Sequence, residues 1–343
     1  MTAISLCMIT KNEEQFLEQC LNSVQELVDE IIIVDTGSTD KTKAIAARFT
    51  DKIFDFKWGD DFSKARNESL KQATKDWILV LDADEQLDQD GIREVKKSVL
   101  NEEAEAYSLP QLHYTNKFLS HPDYVDIQHT QSEESTPFKG FYVTSVIRLF
   151  KNSPKIYFEH CVHETVQYAL ERENKEIKPL PTAPIHHYQE LKGITDVEKK
   201  QQFYFRLSLN NIKQYPAYAK SYNDVGIYYS AYQNDQETAF KYCQKAVELE
   251  PNNLAFILNL SFRLRDLERY DEAIELLKKA LSTHNDERIY RNLGYNYYQK
   301  KQYQLAIEAY QQAIKLDSPL KERIQNYINL IKREINQQGI NQN

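Results

Sequence analysis

Residues 77–85 read Trp-Ile-Leu-Val-Leu-Asp-Ala-Asp-Glu, five apolar residues that run straight into two aspartates one residue apart. An uninterrupted apolar run of strand length belongs to a strand covered on both faces, as in a parallel sheet flanked by helices. On an extended chain alternate side chains point the same way, so Asp82 and Asp84 are expected to present oxygens together to a hard divalent cation.

Working outward, Glu30–Thr36 is a second such run, and Ile4–Thr10 and Lys52–Phe56 are two more of strand length. Between them Asn12–Leu27 places Phe16, Leu17, Leu21, Val24 and Leu27 on one helical stripe, and Thr39–Phe49 and Phe62–Thr74 are similar. The order β-α-β-α-β-α-β with right-handed crossovers predicts an α/β fold, a doubly wound and mostly parallel sheet with helices on both faces. Ligands of such sheets lie beyond the carboxyl ends of the strands. Those ends carry Thr10, Asp35 and Asp82. An acidic residue at Asp35 suits a ribose hydroxyl or the imino N–H of a pyrimidine, while Gly37, Ser38 and Thr39 supply a tight turn and a helix N-cap. No G-x-G-x-x-G or G-x-x-x-x-G-K-[ST] follows any strand, which disfavours a dinucleotide or P-loop site.

Past Leu109 the pattern loosens. The polar stretch 111–140 reads as a functional lid or a disordered segment, and Gly140–Phe150 and Ile156–Val166 read as further strands that end the domain in an antiparallel element. The last third has another period. Ala239, Ala273 and Ala306 are spaced by 34 and 33 residues, and Ala246, Ala280 and Ala313 keep step with them. With Leu293, Gly294, Tyr297 and Tyr310 in the third copy and Pro251 ending the first, the spacing resembles the tetratricopeptide repeat. The second copy has Ser261 in place of the glycine and lacks the proline. The expected organisation is an α/β domain over 1–195, a linker helix over 196–216 and an all-α repeat tail over 217–343. Tyr-rich helices in the tail are expected to form core or to line a concave groove.

Composition sets limits on partners. The chain has 343 residues, with 43 Lys and Arg against 51 Asp and Glu, a formal charge of −8. Nothing clusters the basic residues as nucleic acid or anionic lipid would require. No stretch has the ~18 uncharged apolar residues of a membrane span, and the first ten residues lack a basic leader, so a cytoplasmic protein is expected. Cys7, Cys20, Cys161 and Cys243 lie far apart, as reduced and chemically inert thiols would.

Four segments, MITKNEE (8–14), DEIIIVDTGSTDKT (29–42), WGDDFSKARN (58–67) and WILVLDADE (77–85), resemble in type and order the nucleotide-binding half of family 2 glycosyltransferases with the GT-A fold. His163-Glu164, His187-Tyr188 and the repeats that follow are similar to a bacterial branch that joins such a domain to a repeat tail, a branch that includes peptide S-glycosyltransferases acting on bacteriocin cysteines. The resemblance implies that Thr10, Asp35, Asp61 and Arg66 surround the nucleotide base. It implies that Asp82 holds the ribose or the metal, and that Asp84 ligates the ion bridging the diphosphate. His187 or His163 would be a further metal ligand, and an imidazole favours Mn²⁺ over Mg²⁺. Arg148 would clamp the diphosphate, and Glu164 would be the base of an inverting transfer. A UDP-sugar donor and a peptide acceptor (Cys, Ser or Thr) are expected, with extension of a cell-envelope glycan or a catalytically inactive repeat adaptor as alternatives. A homodimer through the tail is a further expectation. His113, His121, His129 and His284 have no motif around them and read as loop or surface residues.

Overall fold

The apolar run at Trp77 lies at the centre of a sheet. In the computed structural model, which describes residues 2–101, 104–116, 125–126, 138–192 and 197–338, β1 (Ile4–Thr10), β2 (Glu30–Asp35), β3 (Ile53–Asp55) and β4 (Trp77–Val80) lie in the order β3-β2-β1-β4. All are parallel, the doubly wound half expected from sequence. The other half is larger than the sequence indicated and mixes antiparallel with parallel pairs. After β4 the chain turns into β5 (Glu85–Leu87) and later adds β6 (Ala106–Thr115), β7 (Val125–Asp126), β8 (Gly140–Lys151), β9 (Ile177–Pro179) and β10 (Ile185–His187). The sheet continues from β4 through β8, β6 and β10 to β5, with β7 on β8 and β9 on β6.

The alternation of strand side chains divides the core between two faces. On one face Ile4, Leu6, Met8, Trp77 and Leu79 pack against Leu17, Leu21 and Val24 of α1 (Leu17–Val24) and Ile92, Val95 and Val99 of α4 (Gln89–Asn101), with Ala46 of α2 (Thr42–Ala46). On the other face Cys7, Ile32, Ile78 and Val80 pack against Leu70 of α3 (Phe62–Gln72) and Ala169 and Leu170 of α5 (Gln167–Arg172). Leu6, Leu17, Leu21 and Leu79 are fully buried, each worth about 1.5–3 kcal/mol relative to exposure.

Two segments depart from the sequence reading. Ile156–Val166 is not a strand: only Glu159 and Thr165 form an isolated bridge. His160 and His163 between them have φ of 73° and 54°, a left-handed backbone that cannot continue an extended ladder. Within 111–140, residues 111–115 continue β6 and 125–126 form β7; most of the expected lid, with His121 and His129, lies outside the described residues.

The chain divides into two units, Met1–Val197 and Glu198–Asn343. Within the second unit α6 (Val197–Gln214) is followed by the pairs α7 (Ala219–Tyr232) and α8 (Gln236–Leu249), α9 (Leu254–Asp266) and α10 (Tyr270–Ala280), and α11 (Glu287–Gln299) and α12 (Tyr303–Lys315), then α13 (Lys321–Gln338). All six periodic alanines are buried. The glycine in α11 is required by a close approach, since a Cβ on Gly294 would stand 2.7 Å from the Tyr310 ring. In the second pair Ser261 is tolerated, buried with its hydroxyl returned to the Leu258 carbonyl at 2.7 Å. Among the described residues no helix is long and apolar enough to cross a membrane.

Candidate active site

The strand ends before the acidic pair. β4 stops at Val80, and Asp82 to Glu85 form a turn in which the Glu85 N–H donates to the Asp82 carbonyl at 3.0 Å and the Asp82 N–H to Glu85 Oε2 at 2.7 Å. The backbone turns beneath the two aspartates, and their hydrogen-bond and ion-pair partners differ. Asp82 faces two arginines, and Asp84 faces a histidine and a lysine.

Arg66 Nη2 donates to Asp82 Oδ1 at 2.6 Å and Arg148 Nη2 to Asp82 Oδ2 at 3.0 Å. Burial works against this carboxylate, but the two guanidinium charges outweigh it and hold Asp82 well below the usual carboxylate range. Arg148 also donates to Glu85 Oε1 at 3.1 Å. Arg66, carried on α3, reaches further: its Nε donates to Glu164 Oε1 at 2.8 Å. Its third nitrogen, Nη1, is buried and has no hydrogen-bond partner among the described residues. Buried orphan donors are rare, and one on a guanidinium suits an incoming phosphate or carboxylate oxygen. Glu164 is thus tied to the Asp82 turn, while His163 beside it is exposed.

Asp84 is buried, with its Oδ2 3.4 Å from His187 Nε2 and 3.0 Å from Lys192 Nζ. Lys192, in a 3₁₀ turn over Gln189–Lys192, also pairs with Glu13 at 2.7 Å. Burial would raise Asp84, but the His187 hydrogen bond and the Lys192 charge lower it. Burial opposes charge on His187 too, and its bond to Asp84 with the nearby Glu85 raises it nonetheless. A cavity of about 630 Å³ opens beside Lys192, lined also by Asn12, Glu13, Phe16, Asp40 and Lys41. Among the described residues no group of three or more His, Cys, Asp or Glu side chains gathers as a metal cage.

At the neighbouring strand ends, Thr10 Oγ1 lies 3.4 Å from Asp35 Oδ2, and Asp35 Oδ1 accepts from the N–H groups of Gly37 and Ser38 at 3.0 and 2.8 Å. Both are buried. Asp61 caps α3 by accepting from the Lys64 N–H at 3.1 Å and from the Ser63 hydroxyl at 2.6 Å, so its carboxylate aims the helix that carries Arg66.

The sequence reading missed three residues. Glu85 follows the acidic pair directly, is wholly buried, and is raised by that burial against the opposing Arg148 charge. His113, read as a loop or surface residue, sits on β6 with its Nδ1 2.9 Å from Nδ1 of His187; its place in an alternating stretch was the available signal. No local pattern marked Lys192. His284 is half-buried, with its Nε2 2.8 Å from the Asn252 carbonyl oxygen. All four cysteines are buried, and burial pushes Cys7 up to about 12 and Cys161 and Cys243 to about 11, which disfavours the reactive thiolate.

Residues 5–153 match the family described as Glycosyl transferase family 2, and residues 231–294 and 287–319 match two Tetratricopeptide repeat families. A TPR repeat-containing protein of Synechococcus elongatus is 37% identical over 193 residues, 55% of this chain and 42% of that protein. The SPbeta prophage-derived glycosyltransferase SunS of Bacillus subtilis is 25% identical over 290 residues, 83% of this chain and 55% of SunS. Among solved structures, S. aureus TarS 1–349 in complex with UDP aligns with a TM-score of 0.44 at 14% identity, over 80% of this chain and 88% of that one. The chain spans about half the length of the curated relatives it matches.

Proposed function

The chain joins a family 2 glycosyltransferase domain to a tail of tetratricopeptide repeats, and from that premise we propose that it is an inverting glycosyltransferase moving a sugar from a UDP-sugar to a peptide side chain (Cys, Ser or Thr). The observation that carries the reading is the Arg66 bridge, in which one buried guanidinium holds Asp82 and Glu164 and keeps an Nη1–H with no partner among the described residues. Arg66 and Arg148 supply the positive charge that a departing diphosphate needs. Glu164 has Oε1 engaged by Arg66, and its Oε2 takes the proton from the acceptor oxygen or sulfur as the anomeric bond forms. A single displacement of this kind inverts the anomeric carbon and needs no covalent sugar–enzyme intermediate.

Asp84 and His187 are our candidates to hold Mn²⁺ or Mg²⁺. The 3.4 Å between Asp84 Oδ2 and His187 Nε2 suits two ligands of one ion at about 2.1 Å each. When bound, the ion would neutralise charge on the leaving diphosphate, whose oxygens and water would complete its shell. Lys192 competes for the same carboxylate oxygen. Thr10 and Asp35 are our candidates to line the nucleotide site, with Asp61 supporting Arg66 through the α3 cap. The repeat tail favours a peptide acceptor, because stacked helix pairs present extended surfaces for such partners, and the same surface is a candidate for self-association. We place the protein in the cytoplasm, which keeps thiols reduced.

Equilibrium binding of UDP-sugars with and without Mn²⁺, followed by slow release of UDP in water, tests the reading. Absence of UDP-sugar binding in both conditions would sink it.

A further inference from the structure

Glu164 projects from a loop whose backbone is strained. Between Phe158 and Thr165 two residues other than glycine, His160 and His163, have φ of 73° and 54°. A left-handed backbone at such residues persists only where its surroundings over-determine it. The loop closes on itself through Glu159 and Thr165, which exchange backbone N–H and carbonyl at 3.0 and 3.2 Å.

Helix α3 holds the same loop from outside. The Phe62 N–H donates to the Cys161 carbonyl at 3.0 Å, and one turn later Arg66 Nε donates to Glu164 Oε1 at 2.8 Å. Asn67, the next residue, grips the loop where it begins. Its Oδ1 accepts from the Phe158 N–H at 2.7 Å and its Nδ2 donates to the Phe158 carbonyl at 2.9 Å. A backbone N–H can only donate and a carbonyl can only accept, so the amide has one orientation. The side chain thereby stands in for a neighbouring strand across 91 residues of chain. Phe158 itself is buried, with its ring edge-on to Phe150 at 6.3 Å and its centroid 5.7 Å from the central carbon of the Arg66 guanidinium. The residue that Asn67 anchors therefore starts the loop that carries Glu164 and packs against the guanidinium that holds it.

We propose that Asn67 is a positioning residue for the transfer: by pinning the Phe158 backbone to α3 it fixes where the loop presents Glu164. The inference rests on Glu164 being the base. The Arg66 bond to one carboxylate oxygen leaves the stem of Glu164 room to pivot, whereas the Asn67 pair fixes the chain from which that stem projects. Displacing a reacting group by about 1 Å can cost roughly 10²-fold in rate, so a clamp remote from the substrate has a kinetic consequence.

The test is a double-mutant cycle on the full chain, read as UDP release from UDP-glucose and UDP-N-acetylglucosamine with Mn²⁺ and water as acceptor, alongside calorimetric donor binding. Asn67→Ala should lower kcat by up to about 10²-fold with donor affinity unchanged. Combined with Glu164→Gln it should cost nothing further, because residues that act as a unit are not additive; a merely structural loss would add. Asn67→Asp keeps the acceptor for the Phe158 N–H and sets an oxygen against the carbonyl, and it should give the same pattern where the alanine variant does not fold. Losses that add in the double variant, donor binding weakened as much as kcat, or a wild-type kcat in the Asn67 variants overturns the proposal. Glu164→Gln turning over at the wild-type rate would instead remove the base, and the proposal with it.

Discussion

Arg66 Nε donates to Glu164 Oε1 at 2.8 Å across 98 residues of chain. The carboxylate nominated as base is held by the same guanidinium that neutralises the acidic turn, so perturbing one end of the bridge reaches the other.

Glu164→Gln keeps an oxygen for Arg66 and removes the proton acceptor. The expected result is a loss of roughly 10²–10⁴ in kcat with donor affinity little changed. An equal loss of UDP-sugar binding in calorimetry would make Glu164 a residue of the donor site.

Arg66→Met takes the buried cation away from the half-buried Asp82 and Glu164. Removing one partner from a buried ion pair costs about 3–5 kcal/mol, so the urea midpoint should fall markedly. A midpoint within error of the wild type would refute the bridge.

Lys192 competes with any ion for Asp84, being 3.0 Å from its Oδ2 and 2.7 Å from Glu13. Lys192→Met should tighten Mn²⁺ binding by up to about tenfold, since the displaced ammonium no longer opposes the ion. Weaker or unchanged binding in a titration would argue that Lys192 helps to shape the site.

Glu30 opens β2 and accepts from Lys52, from Ser5, and from the Thr74 N–H at 2.8 Å and hydroxyl at 2.7 Å. Burial alone would raise it, but these donors hold it down to about 2 against an ordinary 4.5. A carboxyl lowered by folding stabilises above its unfolded value, and the contribution is lost as pH falls through the folded one. Stability should therefore drop by about 1–3 kcal/mol between pH ~4.5 and ~2 on this account. The component should be missing from Glu30→Gln in urea melts across that range; identical acid limbs would refute it.

Gly294→Ala drives a Cβ into the Tyr310 ring. Overpacking of this kind costs about 1–3 kcal/mol, and because the two units have separate cores, UDP-sugar binding should be unaffected. Thermal melting and donor titration of the same preparation check both halves.

Local pattern made much of this legible. The strand-length runs, the 34- and 33-residue alanine spacing and the placement of Thr10, Asp35 and Asp82 at strand ends follow from periods of two, 3.6 and one repeat, each visible within a short window. Ile156–Val166 failed for a local reason of another kind, since apolar content says nothing of the positive φ at His160 and His163. Asp82 and Asp84 were read on an extended chain, whereas the backbone turns directly beneath them.

The sequence by itself determined that a parallel α/β unit precedes stacked helix pairs, because burying an apolar face is a requirement each segment announces alone. Only the tertiary structure decided which groups meet. Strand order and register are set by contacts between distant segments, and they place Glu85, His113 and His187 in one row. They also bring Lys192 onto Asp84 and carry Arg66 between Asp82 and Glu164. A charge or an imidazole takes its partner, and with it its protonation, from neighbours that no local window contains.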